Sequence, residues 1–290
     1  MGRRTNEKKL IERLDKYLQP MFGNKRHLND AADRVFMAAI REGADLNALL
    51  DLIETDRAFQ LTKFSRANDG NIFDYVEKDY RECSKHFVNI QAGSNGGMAS
   101  IGRGEFFISF LSNFKVKVIK GNADLEYTNK TNNKLEELKF NGGKIAVDGQ
   151  RGEQVWKKME TILSNRGELN LLVGKDFVPF RKTDKKLYKP DEINYLNAIF
   201  WEALTGRKRK KLTDLQLKIL CLKRAFKQGF KNFDSILIID EDGSFVRFTN
   251  SKDAVAYYTD IIRNNRWNRD FTEFRTGQSN IVGIYLFTFK

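Results

Sequence analysis

The sequence predicts an α/β fold in which helices flank a mixed β-sheet, and three observations lead there. Residues 124–127 (DLEY) and 135–140 (LEELKF) alternate charged and apolar side chains with the period of two that a half-buried strand requires. Residues 235–240 (SILIID) and 244–249 (SFVRFT) flank Glu-Asp-Gly, a hairpin signal, and 281–289 (IVGIYLFTF) is a further β-run. The segments before and between these runs carry apolar residues at helical spacing, and such mixing of helix and strand patterns implies layers of both around one core.

The elements follow in order. Residues 5–19 read as an amphipathic helix with Leu10, Ile11, Leu14, Tyr17 and Leu18 on one side, ended by Pro20. Asn29 or Asp30 caps a second helix to Arg41, with Ala31, Val35, Phe36 and Ile40 inward and Gly43 closing it. Asp45 opens a third through Leu46, Leu49, Leu50, Leu52 and Ile53. Residues 1–90 are thus expected to form a helical N-terminal region, as a separate bundle, a partner-binding surface or the helices that flank the sheet. Residues 91–290 are expected to form the α/β domain, with a helical insertion at about 150–230. In that insertion Asp191 is the expected N-cap and Gly206 the expected C-cap of one helix, and a second follows over LTDLQLKILCLKRAFKQGF. Ser251 is the expected cap of a last helix.

Composition narrows the chemistry. The 290 residues hold 51 Lys+Arg against 38 Asp+Glu, a net charge of +13, which suits a polyanionic partner. Only two histidines (His27, His86) and two cysteines (Cys83, Cys221) are present, so His-based zinc sites and Ser-His-Asp or Cys-His nucleophile systems are poorly supported. Any catalytic machinery is left to carboxylates, lysines and a metal. No apolar run approaches the roughly 18–20 residues that cross a bilayer, and MGRRTNEKK carries no apolar stretch of a secretory signal. The expectation is no membrane and a cytoplasmic location, in a bacterial or phage-infected cell, or association with a virion.

The residues from Gly102 to Gly143 carry the chemistry. Glu105 sits at the start of a helical stretch, Asp124 at the start of one strand, and Glu137 and Lys139 on one face of the next, roughly 7 Å apart along it. The Asn-rich connection 128–134 suits a turn, and antiparallel pairing would bring Asp124 beside Glu137. Leu125, Tyr127, Leu138 and Phe140 share the opposite face and suit a core. Hard carboxylate oxygens are what Mg²⁺ prefers, with Mn²⁺ as a substitute. A lysine beside them can position a water or stabilise developing charge.

Glu105, then Asp124, then Glu137-Leu138-Lys139, in this order and at spacings of 19 and 13 residues, resembles the PD-(D/E)XK nuclease superfamily. That superfamily includes restriction enzymes and many phage and repair nucleases. Gly142-Gly143-Lys144-Ile145 is similar to the ending of the lysine strand in some members, while Ala123 stands where a proline often precedes the aspartate. The resemblance implies a restriction-endonuclease-like sheet and a metal-dependent deoxyribonuclease that hydrolyses DNA phosphodiester bonds. It implies Asp124, Glu137 and Glu105 as metal ligands and Lys139 beside the nucleophile. The alternative is a non-catalytic basic DNA-binding or virion-associated structural protein with the same fold.

DNA contacts are expected from Arg103 in the Gly-rich stretch 91–104, which lacks the P-loop pattern, and from Lys144, Gln150 and Arg151 near the site. Further contacts are expected from Arg207, Lys208, Arg209, Lys210 and Lys211, with Lys223 and Lys227 four apart on a helix. The N-terminal helices could instead serve a protein partner.

Overall fold

The computed structural model describes residues 2–22, 25–91, 101–119, 123–128, 133–173, 177, 179, 187–264, 272–273 and 281–288. In chain order the helices are α1 (Gly2–Leu18), α2 (Lys25–Arg41), α3 (Leu46–Glu54), α4 (Leu61–Phe64), α5 (Arg81–Phe87), α6 (Glu105–Leu111), α7 (Gly152–Asn165), α8 (Pro190–Thr205), α9 (Asp214–Gly229) and α10 (Ser251–Arg263). The strands are β1 (Asp69–Asn71), β2 (Val116–Val118), β3 (Leu125–Tyr127), β4 (Lys134–Phe140), β5 (Lys144–Arg151), β6 (Ser235–Ile239), β7 (Ser244–Phe248), β8 (Thr272–Glu273) and β9 (Ile281–Tyr285).

The chain forms two compact units. Unit 1 takes residues 1–142, 232–248 and 290, and unit 2 takes 143–231 and 249–289. The boundary expected near residue 90 falls inside unit 1. The physical reason is a shared core: the apolar faces of α1–α3 and α5 (Leu14, Val35, Leu49, Phe87) bury with those of α6 and the sheet (Phe107, Leu138, Leu237, Phe245). A helical layer that needs the sheet to cover its apolar stripe is not a separate domain.

Unit 1 holds a six-stranded mixed sheet in the order β1-β7-β6-β4-β3-β2. β2, β3 and β4 form an antiparallel meander, β4 and β6 pair in parallel with Glu136 opposite Ser235, and β6–β7 is the expected hairpin. The mixed sheet flanked by helices is the architecture the sequence implied. β6 is buried at every position, as a strand at the centre of a sheet should be.

Local differences have local causes. α2 begins at Lys25, more than a turn before the expected cap. Its buried face is then Leu28, Ala31, Ala32, Val35, Ala38 and Ala39, which leaves Ile40 54% exposed instead of inward. The Asp45 cap is present, accepting from the Asn47 and Ala48 amides at 3.0 and 3.2 Å. Asn250, not Ser251, caps α10, accepting from the Asp253 amide at 2.9 Å. α8 starts on Pro190, which takes the first helical position and leaves Asp191 second. Gly206 closes it with φ +73°.

Unit 2 packs α7–α10 with a three-stranded antiparallel sheet, β5-β9-β8. The terminal β-run, expected to join the main sheet, pairs here with β5, a strand the sequence reading passed over. Val147, Met159, Phe200, Phe226, Tyr258 and Ile284 are among its buried residues.

Candidate active site

α6 is buried on every side from Phe106 to Leu111, with Ser109 its one polar residue there; Glu105, at its first position, is half-buried. A carboxylate there also suits the positive end of the helix. Its rotamer is set by the preceding turn. The Gly102 amide donates to Glu105 Oε2 at 2.9 Å, and a Cβ at residue 102 would fall on that carboxylate. Gly104 has φ +78° and lies against Leu138, where a Cβ would come within 3.2 Å.

β3 and β4 supply the rest. The register places Leu125 opposite Glu136, so Asp124, the residue before β3, falls beside Glu137 and Leu138. Asp124 Oδ2 accepts the Leu138 amide at 2.8 Å and lies 3.6 Å from Lys139 Nζ. Lys139 also pairs with Glu137, and its side chain is only 15% exposed. The Lys139 ammonium therefore bridges the two carboxylates.

The three acids and the lysine also act on one another's titration. Burial pushes the Glu105 carboxyl up to about 7; the Gly102 amide and Lys139 work against this, and Asp124 and Glu137 add to it. Burial raises Glu137 as well, against the pull of Lys139. Burial would lower Lys139, but Asp124 and Glu137 more than offset it and the ammonium is held above its ordinary value. Asp124, Glu137 and Lys139 thus come together on the sheet face opposite Leu125, Tyr127 and Leu138, and Glu105 of α6 lies near enough for their charges to act on it.

A raised carboxyl makes a stability statement. With a folded value of about 7 against an ordinary 4.5, Glu105 favours the fold most below pH 4.5, and that contribution is lost as pH rises through 7. Glu105→Gln removes the penalty. In chelator at pH 8 the variant should be more stable than the parent by about 3 kcal/mol, the two converging near pH 4.5. Urea titrations at both pH values check this; equal stability at pH 8 would rule out a buried Glu105 charge.

The donor chemistry suits a hard divalent cation: three carboxylates and no soft ligand. The hydrogen bonds and ion pairs among the described residues use Oε2 of Glu105, Oδ2 of Asp124 and Oε1 of Glu137, leaving one oxygen on each carboxylate. Among the described residues no three His, Cys, Asp or Glu side chains stand close enough together to share one ion as they are. Lys139 stands between two of them. Mg²⁺ asks for only one or two direct carboxylates and keeps its waters, so Asp124 and Glu137 are the pair that would hold it, with Glu105 reached through water.

The predicted DNA contacts separate. Arg103 is exposed in the turn that precedes Glu105 and forms no ion pair among the described residues. Lys144, Gln150 and Arg151 belong to unit 2 and not to the sheet that carries the cluster. Gln150 is already engaged at both ends of its side chain: its amide donates to the Leu204 carbonyl at 2.6 Å and its oxygen accepts from Lys158. Arg207–Lys211, Lys223 and Lys227 are exposed in unit 2.

Sequence reading missed the network beneath the cluster. Glu136 is fully buried and accepts from Tyr127 Oη at 2.6 Å, Ser235 Oγ at 2.7 Å and Arg247 Nε at 2.7 Å, which ties β3, β4, β6 and β7 together. Arg247 Nη1 also donates to the Phe64 and Ala67 carbonyls at 2.6 and 2.7 Å. The signal was present: alternation puts Glu136 on the face of Leu138, and Arg247 on the face of Phe245.

Comparison of the chain with protein-family models, curated proteins and solved structures gives no match.

Proposed function

We propose that this protein is a Mg²⁺-dependent nuclease that hydrolyses DNA phosphodiester bonds through a PD-(D/E)XK-type site in a restriction-endonuclease-like sheet. The observation that carries the reading is the meeting of Glu105, Asp124, Glu137 and Lys139, from one helix and two paired strands, in the order that superfamily uses. A bound divalent ion would lower the pKa of a water and neutralise charge on the scissile phosphate. Asp124 and Glu137 are the residues to hold it. Lys139, kept charged by both carboxylates, is placed to orient the attacking water and to stabilise charge as it develops. Glu105 and the Gly102 amide fix the third side of the site.

A second reading has its own support. Lys139 already neutralises Asp124 and Glu137, which is how a non-catalytic basic DNA-binding protein of this fold would satisfy them. Supercoiled and linear duplex DNA incubated with Mg²⁺ or Mn²⁺, with and without chelator, distinguishes the two. Cleavage that chelator abolishes is expected; binding with no cleavage in either metal would favour the second reading.

Lys139 gives a sharper measure. Lys139→Ala should reduce the cleavage rate by roughly 10²–10⁴. Lys139→Arg should not restore it, because a planar guanidinium is not a compact point charge. Parental rates in both variants would make Lys139 a structural partner of the carboxylates only.

A further inference from the structure

The net charge of +13 is not shared between the units. Unit 1 has 25 Lys+Arg against 24 Asp+Glu, whereas unit 2 has 26 against 14. The unit with the carboxylate cluster is close to neutral, and nearly all the basicity sits in the other. A unit with almost no net charge offers a phosphate backbone little long-range attraction.

Within unit 2 the densest cations lie on a fixed support. The loop between α8 and α9 carries Arg207, Lys208, Arg209, Lys210 and Lys211, all exposed. Its entry is the left-handed Gly206. Its exit is Leu212, 4% exposed, whose amide donates to the Asn194 carbonyl at 2.9 Å and whose carbonyl accepts from Asn197 at 3.1 Å. Thr213 then caps α9, accepting from the Gln216 amide at 3.2 Å. A basic run pinned at both ends presents its side chains from a defined backbone, unlike a solvated tail.

Not every cation there is available. Lys211 pairs with Asp191 at 2.9 Å, and Arg224 is held by Asp148, its Nε donating at 2.9 Å. Arg207, Lys208, Arg209 and Lys210 form no ion pair among the described residues, nor do the exposed Lys223 and Lys227 on α9. Leu217, Cys221, Leu222, Ala225 and Phe226 of α9 are buried in unit 2 and Leu215 is its one exposed apolar residue, so these lysines lack the broad apolar face that binding to a membrane surface uses.

We infer that unit 2 is the polyanion-binding module of the chain: it holds duplex DNA by its phosphate backbone on Arg207, Lys208, Arg209 and Lys210, with Lys223 and Lys227, independently of the carboxylate cluster. This deepens the reading proposed above by giving its substrate contacts an address. The chain crosses between the units at 142/143, 231/232 and 248/249, so DNA held by unit 2 is tethered to the unit that carries the cluster.

The test measures binding of the full chain to a duplex in chelator between 50 and 200 mM salt, so a failure of the nuclease reading leaves it unaffected. The parent and Asp124→Asn should share one slope of log K against log salt. Changing Arg207, Lys208, Arg209 and Lys210 together to Gln should flatten that slope by about 3–4, at about 0.9 per phosphate contact, and weaken binding near 0.1 M salt by roughly 10²–10³. Lys223→Gln with Lys227→Gln should flatten it by about 2. The control changes four exposed lysines of unit 1, Lys8, Lys9, Lys16 and Lys63, to Gln and should leave the slope within about 1 of the parent. An unchanged slope in the four-residue loop variant overturns the inference, as does an equal loss in the unit 1 control. Tighter binding to anionic lipid vesicles than to DNA at matched salt would overturn it in favour of a membrane surface.

Discussion

Asp124→Asn should abolish measurable cleavage, a loss of at least roughly 10²–10³ in rate, while duplex binding is kept or tightened. The expectation follows from where the side chain sits. The Asp124 carboxylate accepts the Leu138 amide at 2.8 Å, and an asparagine carbonyl can keep that bond, so the turn into β3 survives and only the charge is lost. Without the charge Lys139 keeps Glu137 but loses one of its two carboxylates, and a divalent ion loses one of its two direct ligands. A second readout does not depend on turnover. Mg²⁺ or Mn²⁺ at about 100-fold over its Kd should stabilise the parent by about 2.7 kcal/mol and leave the variant unmoved. Cleavage at the parental rate by Asp124→Asn would sink the site, and a metal-induced rise in Tm retained by the variant would place the ion elsewhere.

Arg247→Met should be the most destabilising single change in unit 1. Arg247 and Glu136 are 3% and 0% exposed, and removing one partner leaves a buried, uncompensated charge, at a cost of about 3–5 kcal/mol. The Phe64 and Ala67 carbonyls lose their donor as well. Burial would raise the Glu136 carboxyl, but Arg247, Ser235 and Tyr127 outweigh it and hold it below its ordinary value. The stability this group contributes is therefore present at neutral pH and lost as pH falls through the carboxylate range. Arg247→Met should reverse that acid dependence, because burial then holds the unpaired carboxyl up, and the double variant with Glu136→Leu should recover much of the loss, since a matched apolar pair can replace a buried ion pair. Guanidinium unfolding of the three proteins measures this; a single variant within about 1 kcal/mol of the parent would show that the charge is solvated.

Much of this was legible from local chemistry. Period-two alternation placed Glu137 and Lys139 on one face of β4, and Asp124 came beside them because strand pairing over a short turn leaves few registers open. The Asp45 cap and the β6–β7 hairpin were legible for the same reason, each decided within a few residues. Pairings over long separations were not. β5 and β9 find each other across about 130 residues, and no local pattern tells a strand which sheet it will join. The unit boundary was hidden too, because the apolar faces of α1–α3 look alike whether they cover one another or a sheet. Gln150 read as a free polar side chain, since only the packed structure brings the Leu204 carbonyl to it.

The parallel pairing of β4 with β6 sets a timetable for biosynthesis. Phe140 lies opposite Ile239, so about 100 residues must be made after β4 before its second neighbour exists. At about 5–20 residues per second this leaves β4 with one bare edge for roughly 5–20 s on the ribosome. A bare edge is a template for pairing with other chains, and the charged Glu137 and Lys139 on β4 act as gatekeepers during that interval. Glu136 waits as well, because Ser235 and Arg247 are both among the late residues. A chain halted between Lys139 and Ser235 carries all four cluster residues and lacks β6 and β7, the strands that complete the sheet beside them.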